Sequence, residues 1–551
     1  MLPLLLFSLY VVPAFAATAD QWRNRTIYQV LTDRFATSDN SSPRCNTTAA
    51  QYCGGTWRGI INRIDYIKDL GFDAIWISPV NANIEGNTAY GEAYHGYWSQ
   101  DLNSLNPHFG NASDLRELSD ELHRRDMLLM VDVVVNHMAS AINPPNFAAF
   151  QPFSSSSFFH PQCYVTDYNN QSNVEQCWLG DSNLSLVDLN TENQVVVDTL
   201  NNWIKALAVN YTIDGIRIDT VKHIRKDFWT GFAQAAGVFT LGEVWSENTT
   251  YVADYTQVVD GVLDYPTWFS LVPAFSNTTG NITDLAVKVW DSQARYRTGE
   301  FLVGSFLDNH DNPRFMSFVK DHALIRNAMA WPFVQDGIPI LYQGQEQSFT
   351  GGRDPLNREA MWLSGYVEQK ALVTDVKLYN AARRAAMAHN ADFLKTAAKL
   401  YAVSQHTVAV SKPPLLALLS NLGNTSTPNW NVPGAGYKPG ETLVDVLTCN
   451  KVVADDKGGV LVTGKAGNPQ ILLPVTALDP KGRMCSNMAT PGPNGSASNT
   501  GRGGNGVTRQ ASSATAATSG EDLRTQVLWA LSIALPFTLL FLASQTSLFL
   551  G

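Results

Sequence analysis

Eight short runs of apolar residues recur between residues 26 and 342, and stretches with apolar residues at every third or fourth position separate them. The runs are almost continuously hydrophobic, as expected for parallel strands that are buried on both faces. The stretches between them are typical of amphipathic helices. The predicted strands are residues 26–31, 74–80, 128–135, 215–219, 239–244, 261–265, 301–307 and 337–342, and the predicted helices are residues 60–70, 113–125, 192–209, 226–236, 283–295 and 322–334.

This alternation predicts an α/β protein with a (β/α)8 TIM barrel over residues 17–395. The longest connection, residues 138–188, follows the third strand and is predicted to form an inserted subdomain. From residue 396 to 487, short β-type runs with turn residues between them predict a C-terminal antiparallel β-sandwich. Residues 488–526 are rich in Ser, Gly and Asn, which predicts a linker without a core.

The two ends of the chain have the patterns of targeting signals. Residues 1–16 are apolar and end in Ala14-Phe15-Ala16, which predicts a cleaved secretory signal peptide. Residues 527–551 carry no charge and follow a polar spacer and a run of small residues, the pattern of a signal for a GPI anchor. An ordinary tail anchor and a buried helix are the alternatives. The GPI interpretation predicts a protein at the cell surface, attached to the plasma membrane or transferred to the cell wall.

The composition excludes two classes of protein. Hydrophobic residues make up 45% of the 551 residues, which supplies a large core and excludes a disordered chain. The 39 Lys and Arg against 49 Asp and Glu leave a net charge of −10, whereas a protein that binds duplex nucleic acid needs a basic face.

Six cysteines and twelve Asn-x-Ser/Thr sequons suit a glycoprotein of the oxidising secretory pathway. Six cysteines allow fifteen pairings. Proximity along the chain favours the three pairs Cys45–Cys53, Cys163–Cys177 and Cys449–Cys485.

Polar side chains follow four of the predicted strands at the point where each strand ends. In a (β/α)8 barrel these ends meet at one face, so Asp219, Glu243 and Asp311 are predicted to converge there with histidines and an arginine. Such carboxylates are typical of glycosidic-bond chemistry, in which one acts as nucleophile and another as general acid and base. The polar positions are Asp132, Asn136, His137, Arg217, Asp219, Glu243, Asn309, His310 and Asp311.

These segments resemble the four conserved regions of the α-amylases, specifically the secreted fungal, Taka-type enzymes of glycoside hydrolase family 13. The resemblance covers about residues 20–487 and extends to GGTW at 54–57, AYG at 89–91, HGYW at 95–98, GQEQ at 344–347 and NREA at 357–360. It implies a retaining endo-hydrolase of α-1,4-glucosidic bonds that acts as a monomer on starch-like polysaccharide or maltooligosaccharides.

The resemblance also implies a role for each matching residue. Asp219 would be the nucleophile, kept ionised by Arg217, and Glu243 would be the general acid and base. Asp311 would hold sugar hydroxyls in the distorted transition state. The residues placed against the substrate are His95, Tyr97, Trp98, His137, Arg217, Lys222, His223, His310, Asp354 and Arg358.

A calcium ion is implied by the same resemblance. Its ligands would be Asn136, Glu175, Asp188 and the backbone carbonyl of His223. Hard oxygen donors suit Ca²⁺. The ion would clamp the inserted subdomain to the barrel beside the nucleophile.

Two features depart from the fungal pattern. The usual four disulfides are reduced to at most three, and Trp245-Ser246-Glu247 replaces a small aliphatic residue followed by Asp-Gly. Trp245 would lie beside the acceptor sugar, where an aromatic platform could hold a second glucan in place of water. The alternative to hydrolysis is therefore a 4-α-glucanotransferase that remodels cell-wall α-glucan. A third interpretation is a non-catalytic α-glucan-binding protein.

Overall fold

The computed structural model describes residues 17–478 and 484–485. The predicted signal peptide, the linker and the apolar C-terminal tail lie outside these residues. Within the described ranges, each helix is too short or too polar to cross a membrane.

Eight parallel strands form the centre of the fold, and we number them β1 to β8 in chain order. Each is hydrogen-bonded to its neighbour in the order β6-β5-β4-β3-β2-β1-β8-β7. A parallel bridge between Leu263 and Gly304 joins β6 to β7 and closes the barrel. The predicted TIM barrel is therefore confirmed. The strands are Ile27–Val30, Ala74–Ile77, Leu128–Val133, Gly215–Ile218, Phe239–Gly242, Gly261–Val262, Gly304–Ser305 and Ile338–Tyr342.

Alternate residues of the strands are buried in two different cores, which explains why the strand sequences are hydrophobic throughout. On β2, Ala74 and Trp76 pack inside the barrel, whereas Ile75 and Ile77 pack outward against the helices. The helices are Ala19–Arg23, Thr32–Phe35, Trp57–Asp69, Ala112–His123, Gln171–Gln176, Gln194–Asn210, Lys226–Ala236, Thr249–Tyr255, Tyr265–Phe275, Ile282–Arg295, Phe315–Phe318, His322–Val334 and Ala371–His389.

Two of the predicted strands are much shorter in the structure. The prediction for residues 261–265 runs too far because Asp264 caps the helix Tyr265–Phe275 through its side chain. Of the strand predicted for residues 301–307, only Gly304–Ser305, which is β7, is a strand in the structure. Arg297–Glu300 forms a separate extended segment before it.

The insertion after β3 forms a subdomain around a three-stranded antiparallel sheet. The sheet contains His137–Ser140, Leu179–Gly180 and Ser185–Asp188, and it pairs His137 with Asp188. A disulfide between Cys163 and Cys177 joins its loops. The other two predicted disulfides, Cys45–Cys53 and Cys449–Cys485, are also present.

The C-terminal domain is antiparallel, as predicted. One sheet has six strands, and Asn429–Val432 and Val460–Thr463 form a second, two-stranded sheet. Side chains from both sheets, including Leu416, Leu418 and Trp430, share one apolar core. The strands of the first sheet are Lys399–Tyr401, Thr407–Lys412, Leu415–Ser420, Gln470–Pro474, Thr442–Asp445 and Lys451–Val453, in spatial order.

Candidate active site

Arg217 is the centre of a carboxylate cluster at the carboxyl ends of β3, β4 and β5. Its Nη1 lies 2.9 Å from Oδ1 of Asp219 and 2.9 and 3.0 Å from the two oxygens of Asp132. Its Nη2 lies 3.0 Å from Oε2 of Glu243. Burial raises the pKa of Asp219, and the charge of Arg217 opposes that rise. One buried cation therefore holds three carboxylates close together.

Asp132 is the innermost of these acids and is fully buried. Besides the arginine, it accepts hydrogen bonds from the Tyr97 hydroxyl at 2.8 Å and from Nε1 of Trp76 at 3.1 Å. Burial raises the pKa of Asp132 to about 7. Its contacts to protein groups on several sides make it a support for Arg217 and Tyr97.

Glu243 is held through both of its oxygens. Oε2 accepts a hydrogen bond from the backbone N–H of Thr220 at 3.0 Å, and Thr220 has a left-handed backbone with φ of 50°. Oε1 accepts a hydrogen bond from the Tyr265 hydroxyl at 3.3 Å. Burial raises the pKa of Glu243, although Arg217 opposes the effect. A carboxyl group with a raised pKa retains a proton that it can deliver to a leaving oxygen.

Asp311 and His310 follow β7 and face the same cluster. Nε2 of His310 lies 3.3 Å from Oδ1 of Asp311, and Nη2 of Arg358 lies 3.5 Å from the same oxygen. Burial raises the pKa of Asp311, and the charge of Glu243 adds to the rise. Burial also lowers the pKa of His310, which keeps the ring neutral. Because the Gln29 amide donates to Nδ1 at 2.7 Å, the ring proton of His310 is on Nε2.

Tyr97 and three imidazoles line one wall of the site. The Tyr97 ring stacks on His310, with ring centres 5.2 Å apart and planes 7° apart. The backbone N–H of Tyr97 donates to Nδ1 of His95 at 3.0 Å, and Nε2 of His95 is buried without a hydrogen-bond partner among the described residues. His137 contacts the carbonyl of Tyr97 through Nε2 at 3.2 Å, and burial lowers its pKa to about 4. The free N–H of His95 is a donor for a ligand hydroxyl.

Asp354 and Arg358 lie on the next part of the cleft. They form an ion pair at 3.0 Å, and Nε of Arg358 also donates to the carbonyl of His310 at 3.0 Å. An open cavity of about 510 Å³ begins here, a volume suited to a small ligand. Its walls include Thr48, Ala50, Tyr90, Tyr94, His95, Trp98, Asp354 and Arg358.

Lys222 and Trp245 lie on the other side of Glu243. Nζ of Lys222 donates to the carbonyl of Trp245 at 2.9 Å and lies 4.8 Å from the ring centre of Tyr168. Burial lowers the pKa of Lys222 to about 8. The half-buried indole of Trp245 stacks on Tyr265 with ring centres 5.2 Å apart and planes 16° apart. Trp245 is therefore held at its backbone and at one ring face.

The predicted calcium ligands lie where the insertion meets the barrel. Oδ1 of Asn136 and Oδ1 of Asp188 are both buried without a hydrogen-bond partner among the described residues. His223 contacts the carbonyl of Val174 through Nδ1 at 3.1 Å, which places its loop against the helix that carries Glu175. The described part of the chain has no cluster of three His, Cys, Asp or Glu side chains suited to a metal. A cation here would therefore also need amide and carbonyl oxygens, which Ca²⁺ accepts.

Sequence reasoning assigned no role to five residues that the structure places in this site. Asp132 and Gln29 carried a signal, since each is a polar residue inside an apolar strand. Asn309 carried one as a polar residue at the end of a predicted strand, whereas Tyr265 and Tyr168 carried none, because an aromatic residue is equally typical of a core. Their contacts come from segments that are distant in sequence.

Comparisons with known proteins agree with this geometry. Residues 29–412 match the family model of the α-amylase catalytic domain, and residues 399–492 match that of α-amylase domain C. The chain is 40% identical over 474 residues to alpha-amylase 1 of Schwanniomyces occidentalis, covering 85% of this chain and 92% of that protein. It is 41% identical over 459 residues to an alpha-amylase of Saccharomycopsis fibuligera, covering 83% and 92%.

A solved structure extends the likeness to three dimensions. An alpha-amylase from Malbranchea cinnamomea has a TM-score of 0.83 and 41% identity to this chain, covering 85% of this chain and 100% of that one. The barrel and the C-terminal domain thus agree with the sequence matches, and the chain belongs to the α-amylase family of glycoside hydrolases.

Proposed function

We propose that the protein cleaves internal α-1,4-glucosidic bonds of starch-like glucans with retention of anomeric configuration. The observation that carries the proposal is the single guanidinium of Arg217 in contact with both Asp219 and Glu243, at 2.9 and 3.0 Å. Two carboxylates with different partners and a shared cation suit the two separate roles of nucleophile and acid.

The reaction would take place in two steps. In the first, a carboxylate oxygen of Asp219 bonds to the anomeric carbon while the carboxyl proton of Glu243 goes to the glycosidic oxygen, and the bond to the leaving chain breaks. In the second, the Glu243 carboxylate takes a proton from water, the water oxygen bonds to the anomeric carbon, and Asp219 is released. Asp311 and His310 would hold hydroxyls of the cleaved sugar, and Tyr97 would stack on its apolar face.

The first test is the anomeric configuration of the initial product. Proton NMR during cleavage of maltoheptaose by the wild-type enzyme is expected to show the α-anomer before mutarotation. Glu243→Gln is expected to lose at least about a hundredfold in kcat because the acid is removed. Glu368→Gln, an exposed carboxylate, serves as the control. Full activity of Glu243→Gln would overturn the proposal. A wild-type protein that binds maltoheptaose without cleaving it would instead favour a non-catalytic glucan-binding role for this cleft.

A second candidate function is 4-α-glucanotransfer, and the placement of Trp245 favours it. The indole is held by its stack on Tyr265 and by the bond from Lys222 to its carbonyl, directly after Glu243 and Val244. A rigid aromatic surface next to the acid is suited to bind an acceptor sugar, which would then attack the glycosyl-enzyme in place of water. Chromatography of early products separates the two activities. Products longer than the donor indicate transfer, and their loss in Trp245→Leu would assign acceptor binding to the indole, whereas only shorter products from the wild type indicate hydrolysis.

We propose a structural Ca²⁺ held by Asn136, Asp188, Glu175 and the carbonyl of His223. The Oδ1 atoms of Asn136 and Asp188 support it, because both are buried without a hydrogen-bond partner in the described part of the chain. The ion would neutralise buried Asp188 and join the insertion to the barrel. Addition of EDTA is expected to lower the melting temperature, Ca²⁺ is expected to restore it, and Asp188→Asn is expected to abolish the response. A melting temperature that is insensitive to EDTA would overturn the proposal.

We propose that the protein reaches the cell surface through its N-terminal signal and a GPI anchor added near its C-terminus. The uncharged tail of residues 527–551 and the small residues before it support this. Phosphatidylinositol-specific phospholipase C is expected to release the full-length protein from intact cells, and deletion of residues 527–551 is expected to send it to the medium. Retention after both treatments would contradict a lipid anchor.

A further inference from the structure

Tyr265 connects Glu243 to the loop that carries Asp311. The ring is fully buried at the start of the helix Tyr265–Phe275. Its hydroxyl lies 3.3 Å from Oε1 of Glu243 and 3.0 Å from Nδ2 of Asn309. Trp245 stacks on its ring. The proposed two-step mechanism gives no role to this contact.

The direction of these hydrogen bonds is determined by the backbone. Oδ1 of Asn309 accepts hydrogen bonds from the N–H groups of Asp311 at 3.1 Å and Asn312 at 3.0 Å. A backbone N–H can only donate, so this atom is the amide oxygen and Nδ2 is the donor. Nδ2 therefore donates to the Tyr265 oxygen. The single hydroxyl hydrogen of Tyr265 then points to Oε1 of Glu243.

The two oxygens of Glu243 are thereby made different. Oε2 faces Nη2 of Arg217 at 3.0 Å and the N–H of Thr220 at 3.0 Å, and both of these are donors only. The N–H of Thr220 occupies one position on Oε2, and the cationic guanidinium of Arg217 at 3.0 Å disfavours a proton on the same oxygen. Oε1 receives one donor, the hydroxyl of Tyr265, and keeps a second position open.

We propose that Oε1 of Glu243 carries the proton delivered to the glycosidic oxygen, and that the Tyr265 hydroxyl is the positioning group that orients this oxygen. The inference rests on the proposed role of Glu243 as general acid. The Tyr265 hydroxyl stabilises the carboxylate left on Glu243 when the proton has gone. Since Trp245 packs on the same ring, contact of an acceptor sugar with Trp245 is coupled to the orientation of the acid.

The test changes the hydroxyl of Tyr265 in two opposite ways, by removing it and by making it a stronger hydrogen-bond donor. Tyr265→Phe removes the donor, which is expected to raise the pKa of Glu243 and to move the alkaline limb of kcat/KM for maltopentaose upward by about one pH unit, the size of one hydrogen bond to a charged group. The value of kcat is expected to fall about tenfold. 3-Fluorotyrosine at position 265 keeps the shape but donates more strongly, so the limb is expected to move downward.

A substrate with a leaving group that needs no proton isolates the effect on the acid. With maltotriosyl fluoride, Tyr265→Phe is expected to change kcat/KM by less than about twofold, since fluoride departs with little acid assistance. Tyr379→Phe is the matched control, because Tyr379 is equally buried and donates its hydroxyl to the carbonyl of Arg326 in a distant helix. It is expected to leave both pH limbs unchanged.

The outcomes separate this inference from the function on which it rests. If Glu243→Gln loses activity but neither change at Tyr265 moves the alkaline limb, the positioning role is wrong and the role of Glu243 stands. Equal losses on maltopentaose and on the fluoride would also overturn it, because they indicate general damage to the site. If Glu243→Gln retains full activity, the proposed function itself fails. Should Tyr265→Phe not fold, the 3-fluorotyrosine protein still decides the question by the direction of its shift.

Discussion

Replacement of Arg217 by lysine tests whether one guanidinium organises the three carboxylates. The planar group makes four hydrogen bonds or ion pairs of 3.0 Å or less, two to Asp132 and one each to Asp219 and Glu243. The lysine ammonium is a compact point charge on one nitrogen and cannot reproduce interactions that two separate nitrogens make. Three of the four contacts come from Nη1 and the fourth from Nη2, so we expect Arg217→Lys to lose at least the contact of Nη2 with Glu243.

The magnitude of the effect is that of one contact with a carboxylate. A hydrogen bond to a charged group contributes about 1.5–3 kcal/mol. At about 1.4 kcal/mol per factor of ten, kcat/KM is expected to fall by roughly 10- to 10²-fold. Arg217 opposes the burial that raises the pKa of Asp219, and a lysine, being shorter, places its charge farther from Asp219, so that pKa is expected to rise further. The acidic limb of the pH profile is then expected to move to higher pH, since Asp219 must be ionised to attack.

The assay is steady-state hydrolysis of maltopentaose from pH 4 to pH 9, with thermal unfolding in parallel. Arg383→Lys is the control, because Arg383 is also fully buried but donates to the carbonyls of Gln335 and Gly337 at the other end of the barrel. It is expected to lower stability without moving either pH limb. A value of kcat/KM for Arg217→Lys within threefold of wild type, with an unmoved acidic limb, would refute the reasoning.

Three further changes test other parts of the structure. Asp132→Asn turns an amide N–H₂ toward Arg217 or Tyr97 and is expected to lower kcat/KM about tenfold; unchanged kinetics would show that its charge is not needed. Glu300 is buried with neither oxygen hydrogen-bonded among the described residues, and burial raises its pKa. When the pKa of a carboxyl is higher in the folded than in the unfolded protein, the protein loses stability as the pH rises above the pKa of the unfolded state. Glu300→Gln is therefore expected to raise the melting temperature at pH 8 but not at pH 4. An equal gain at both pH values would contradict this. Removal of the disulfide Cys163–Cys177, whose cysteines lie 14 residues apart in sequence, is expected to lower the free energy of unfolding by about 3 kcal/mol. Proteolysis of this variant is expected to begin within residues 138–188. Cleavage that begins in the barrel would argue against a subdomain stabilised separately by its disulfide.

The sequence by itself determined the barrel and the location of its chemistry. Strands buried on both faces must be apolar throughout, so polar residues at their ends stand out, and this pattern identifies Arg217, Asp219 and Glu243. Cysteines close in sequence also meet easily, because a short loop costs little entropy to close, and all three predicted pairs formed.

Element boundaries are harder to predict, because local signals compete there. The helix Tyr265–Phe275 is apolar on most sides, and the strand predicted for residues 261–265 runs into its first residue. Its start is set by the Asp264 cap, a contact between a side chain and the backbone that hydrophobic periodicity does not record.

Only the tertiary structure decided which groups support the reacting carboxylates. Asp132, Tyr265 and Asn309 come from three different barrel segments. The contacts of Asp132 with Arg217, of Tyr265 with Glu243 and of Asn309 with Tyr265 exist only after the strands are in register. The difference between the two oxygens of Glu243 is of the same kind. A hydrogen bond depends on distances of a few tenths of an ångström between residues far apart in the chain, whereas sequence periodicity records only which face of an element is buried.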